Sequence, residues 1–133
     1  MIYKNLISTE IPEKSIKEIL QAISHIESLL PQLVELTRED RLSLHPLNEG
    51  GIAFINKALK IAIKNPEVLP PEIDLVEFKK DVDLIHSLEK ILMPLKKIVH
   101  KLEDSRLLAG DEAYIPALTI FNTVETHKAV YRV

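Results

Sequence analysis

Aliphatic residues recur along this chain at steps of three and four, and polar residues fill the positions between them. Ile16, Ile19, Ile23, Ile26 and Leu30 make the first such seam. Lys14, Lys17, Glu18, His25 and Ser28 fall on the opposite side. That division predicts a helix that packs one face and solvates the other. Pro12 suits its first turn, because a proline there surrenders an N–H that would have had no helical partner. Pro31 kinks it or opens a new turn.

Thr37-Arg38-Glu39-Asp40 has the form of a capping box, with Asp in the place where Glu or Gln is commoner, and predicts a short helical turn. From Leu42 to Gly51 the pairs His45-Pro46 and Gly50-Gly51 are strong breakers and predict a surface loop. A second helix is expected from about Gly51 to Lys64, stopped by Asn65-Pro66 because the residue before a proline avoids helical dihedrals. Ile52, Ile55, Leu59 and Ile63 form its seam. Phe54, Ala58 and Ile61 form a second apolar stripe beside it.

Pro66, Pro70 and Pro71 hold the next connection extended, and Asp74 with Glu77 three residues on marks the start of a third helix. Its seam, Phe78, Val82, Ile85, Leu88, Leu92, Leu95, Val99 and Leu102, continues in phase across Pro94. A kink there is expected rather than a break, with the proline on the convex solvent side. Gly110 supplies a stop and Asp111 a cap for a fourth helix, whose seam is Tyr114, Ala117, Phe121, Val124 and Tyr131 and whose first turn holds Pro116. This last seam reaches the end of the chain with no terminator of its own.

Four amphipathic segments with short connections predict an all-α fold, an antiparallel up-down four-helix bundle in which each seam buries against the other three. Residues 1–133 fit one domain, with 1–11 as an N-terminal arm. Composition narrows the picture: few aromatics and three glycines disfavour a sheet, and no cysteine is present for a disulfide or a thiolate site. Residues 1–14 lack a signal peptide's apolar core, and lysines or glutamates interrupt each apolar stretch before it could cross a bilayer, so no membrane span and a cytoplasmic location are expected. A net charge of −3 gives no general attraction to nucleic acid. The basic clusters Lys57, Lys60, Lys64 and Lys96, Lys97, Lys101 are expected to be solvated faces, the second interleaved with Glu89, Glu103 and Asp104.

The candidate chemistry is sparse. His86 has Asp83 and Glu89 three residues to either side, a spacing that could bring three ligands together. Helical projection puts His86 off the seam, however, whereas bundle metal sites use matching acid-x-x-His pairs from two inward faces, and Asp83-x-x-His86 is the one such pair. His100 with Glu103 and Asp104 repeats the weaker half of that pattern. His25 has no acid at helical spacing, and His45, in a loop, and His127, near the chain end, have nothing in the sequence that places them near each other. Arg41 and His45 differ in spacing from the Arg-then-His arrangement of helical ribonucleases, and Pro46 follows at once. No Gly-rich phosphate loop, nucleophile elbow or Glu-Glu-x-x-Glu run occurs. No catalytic, metal or cofactor residue is therefore assigned.

The wide apolar face of the second helix is the strongest functional signal. A bundle helix needs one stripe covered, so Phe54, Ala58 and Ile61 call for a further partner. The arm (Ile2, Tyr3, Leu6, Ile7) and a second copy of the chain are the two candidates. Leu29-Leu30-Pro31 with Leu36-Thr37-Arg38-Glu39-Asp40-Arg41, Ala53-Phe54 with Lys57-Ala58-Leu59, Asn65-Pro66 to Pro71, and Leu108-Ala109-Gly110-Asp111-Glu112-Ala113-Tyr114 resemble a group of small uncharacterised bacterial helical-bundle proteins. The resemblance covers most of the chain after residue 28; it implies the fold and no activity. The expected function is a non-catalytic binding or assembly module, with homo-oligomerisation through Phe54, Ala58 and Ile61 as one form. The alternative is a metal-dependent enzyme with its site among the helices.

Overall fold

The computed structural model describes residues 6–131, with side chains through residue 127. Among the described residues the chain is all-helical, with no strand. Its elements are α1 (Glu13–Leu29), α2 (Arg38–Ser43), α3 (Glu49–Lys64), a 3-10 turn at Pro66–Val68, and α4 (Leu75–Tyr131).

Side-chain caps start three of these helices. The Thr37 hydroxyl accepts from the Asp40 N–H at 3.1 Å while Asp40 accepts from the Thr37 N–H at 3.3 Å, so Asp completes the reciprocal box that opens α2. Asp74 accepts from the Glu77 N–H at 3.1 Å at the start of α4. α3 begins earlier than its breakers predicted. Asn48 Oδ1 accepts from the Gly51 N–H at 2.8 Å, which places Gly50 and Gly51 inside the first turn rather than in a loop. Glycine is poor in a helix interior, but here a cap satisfies its N–H and a first turn has no preceding turn to crowd.

The second departure is larger. Gly110 and Asp111 were expected to end one helix and begin another, yet both lie within α4, which runs unbroken for 57 residues. A glycine stop needs the left-handed backbone, and Gly110 does not adopt it. Leu107, Leu108, Ala109, Glu112 and Ala113 are strong helix formers on both sides. Ending the helix there would leave four carbonyls and four N–H groups to be satisfied, against about 1 kcal/mol for carrying one glycine through. Pro94 and Pro116 are also interior to α4, Pro116 about eleven turns beyond the first turn that would tolerate it. The predicted third and fourth helices are one, and no turn lets the last seam fold back beside the one before it.

The chain divides into two compact units, Ser24–Met93 and the described parts of Met1–Ile23 with Pro94–Val133. In the first of these, α3 and the opening of α4 are joined through residues 65–74, where the 3-10 turn and a turn bond from the Ile73 N–H to the Pro70 carbonyl replace a fully extended link. Ala62 and Val82 are buried there, with Leu59, Ile85 and Leu88 half-buried around them. In the other unit no described residue is buried, and Ile16, Ile19, Ile23 and Phe121 are exposed. Mutual burial of four seams within one chain was the expectation; removing the turn at Gly110 removes the neighbour that the last seam required.

Truncating Val82 to Ala should cost about 1.5–2.5 kcal/mol in urea-induced unfolding, for two buried methyl groups and the space they leave. The same change at Val76, which is exposed on the same helix, should stay within about 0.5 kcal/mol. Equal costs at the two positions would mean that α3 does not cover Val82 in solution.

Candidate interaction surface

α3 presents two unlike sides. Ile52, Ile55, Leu59 and Ala62 fall on one side and are half-buried or buried. Ala58 lies at the margin of that side and is half-buried. Phe54 and Ile61 lie beyond the margin and are 73% and 52% exposed. Of the three residues singled out as an interface, then, one is partly used by the fold and two remain open.

Asn56 does what no apolar residue could. Its Oδ1 meets His86 Nε2 of α4 at 3.0 Å in a partly buried contact. This corrects the expectation for His86: it belongs to the half-buried side of α4 and not to a solvated charged face. At 100° per residue Val82, Ile85, His86 and Glu89 lie around one side, so the packed face is wider than the seam alone. The pair is bound to each other, which meets the need of a polar group taken partly out of water.

The other His and acid clusters stay apart. Asp83 takes the Lys79 ammonium at 2.8 Å, on the exposed side. Among the described residues no three His, Asp or Glu side chains converge in a way that would hold a metal ion. His25 and His45 are exposed, as are His100, Glu103 and Asp104. Arg41 donates to the Leu36 carbonyl at 2.9 Å and so ties the α2 turn to the segment before it. No helix is long and apolar enough to cross a membrane among the described residues. Lys57, Lys60, Lys64, Lys96, Lys97 and Lys101 are all exposed.

The described part of the arm lies along α4. Leu6 donates its backbone N–H to the Glu112 carboxylate. Ile7, Thr9 and Ile11 line a hollow with Val99, Leu102 and Ala109. Ile2 and Tyr3 lie outside the described residues. Farther along α4, the hydroxyls of Thr119, Thr123 and Thr126 donate to the carbonyls of Ile115, Thr119 and Asn122 at 2.8–3.0 Å. These threonines satisfy themselves on one stripe of the helix, and Tyr114, Leu118 and Phe121 remain exposed on the other. Sequence reasoning missed this surface because a fourth seam was assigned to an internal core.

No family model matches this chain, and neither a curated protein nor a solved structure matches it.

A double-mutant cycle on Asn56→Ala and His86→Ala should return a coupling of about 0.5–1.5 kcal/mol in unfolding free energy. Strict additivity of the two single changes would show that the bond contributes nothing to holding α3 on α4.

Proposed function

We propose that this chain is a non-catalytic assembly module that completes its core against further copies of itself. The observation that supports this is the amount of apolar surface left open on regular helical stripes, at Phe54 and Ile61 on α3 and from Val99 to Val124 on α4. Scattered exposed aliphatics are ordinary, but contiguous stripes on rigid helices are where proteins associate. Phe54, Ala58 and Ile61 form one contact face in this reading.

The energetics favour it. Five fully buried side chains from each of two copies contribute about 15–30 kcal/mol gross, against a cost of about 4–15 kcal/mol for association. In the assembly the helices of the copies pack as an antiparallel up-down bundle, the arrangement that one chain without a turn at Gly110 does not make alone. The resemblance to small bacterial helical-bundle proteins agrees with a bundle and adds no activity.

Light scattering at micromolar concentration should give a mass that is a multiple of 15.1 kDa, and the thermal midpoint should rise with protein concentration, as linked assembly requires. Replacing Phe54 and Ile61 together by Glu should lower the assembled fraction with far-UV circular dichroism unchanged. A monomer mass across that range would remove the proposal.

A further inference from the structure

We propose that α4 pairs with α4 of a second copy, antiparallel, about a two-fold axis that passes between Asp104 and Ser105. The inference rests on the homo-oligomer reading above and adds a surface, a direction and a register to it.

The first support is a mirror in the spacing. Leu95, Val99, Leu102, Leu107, Gly110 and Tyr114 follow at steps of four, three, five, three and four. Turning the helix end for end maps this set onto itself, so Leu95 meets Tyr114, Val99 meets Gly110, and Leu102 meets Leu107. The sequence continues the mirror outward with Leu92 and Ala117. At 100° per residue the six positions fall within an arc of about 140°, one face of the helix. Such self-complementarity is what a two-fold interface demands, since each copy must offer both halves of every contact.

The face is open. Val99, Leu102, Leu107 and Tyr114 are 47%, 59%, 73% and 63% exposed. The arm shares one hollow with Val99, Leu102, Glu103 and Arg106, and Leu107, Gly110 and Tyr114 line a second hollow that the same Glu103 and Arg106 border. Gly110 is the floor of that hollow: a Cβ there would meet nothing within 4 Å in the single chain. Glycine is disfavoured in a helix interior, so its place at the middle of the face fits a hole that receives the partner's Val99 as a knob.

Charge chooses the direction. Glu103 and Arg106 lie on this same face, and among the described residues neither takes part in an ion pair or hydrogen bond. The antiparallel register places Glu103 of each copy beside Arg106 of the other, twice by symmetry. A parallel pair would set Glu103 against Glu103 and Arg106 against Arg106, which repels.

The chain has no cysteine, so introduced thiols report without background. Val99→Cys and Gly110→Cys chains, purified separately, mixed and oxidised, should form a disulfide-linked pair containing one of each. Either variant alone should not cross-link, because like positions then lie eleven residues apart, about 16 Å along the axis, beyond the roughly 7 Å between Cα atoms that a disulfide spans. Glu103→Arg and Arg106→Glu should each weaken association about fivefold, and the two together should restore it to within about twofold. Cross-linking of Val99→Cys with itself would overturn the antiparallel register. An oligomer by light scattering with no mixed cross-link, or a charge swap that fails to restore, would overturn the α4 pairing and leave the homo-oligomer reading standing; a monomer mass would end both.

Discussion

The continuity of α4 through Gly110 is the constraint on which the rest of this structure depends. A helix cannot fold back on itself, so the side chains from Leu107 to Val124 lose the neighbour that a reversal of the chain would have brought. What would have been an internal seam becomes an external one. The local balance that decides this is small: one glycine carried through a helix costs about as much as one good cap contributes. The consequence is large, because each aliphatic side chain left in water forgoes about 1.5–3 kcal/mol of burial.

Where the chain does reverse, a core forms. Residues 65–74 bring α3 back along the start of α4, and Ala62, Val82 and the half-buried residues near them are the result. Two kinds of polar device define this reversal. Asn48 and Asp74 satisfy the N-terminal N–H groups of the two helices and so set where each begins. Asn56 and His86 bond across the pair, and a polar contact of this kind rejects neighbouring registers in which one partner would be left unmatched.

Several polar side chains of the described chain serve its own architecture. Arg41 holds the Leu36 carbonyl, Asp83 holds Lys79, Glu112 holds the arm, and the α4 threonines return to their own helix. The apolar surface is the reverse case, regular in its spacing and largely without partners inside the chain.

Helix existence and the caps at Thr37 and Asp74 were legible in the sequence, because each follows from the 3.6-residue repeat or from contacts three residues away, whereas the seams of α1 and α3 are only partly covered, with Ile16, Ile19, Ile23 and Ile63 exposed. Phe54 and Ile61 were legible as excess apolar surface for the same reason. Gly110 was misread because a glycine after an aliphatic run is written identically whether the backbone turns left-handed or continues; the difference is the balance between stopping and propagating, which involves residues on both sides. His86 was misplaced because projection reports angle around one helix and not how broadly a second helix covers it. Local periodicity thus determined which residues are helical and which sides are apolar. Only tertiary structure decided which sides meet, since contact depends on where the chain reverses, and that rests on a difference of about 1 kcal/mol at single residues.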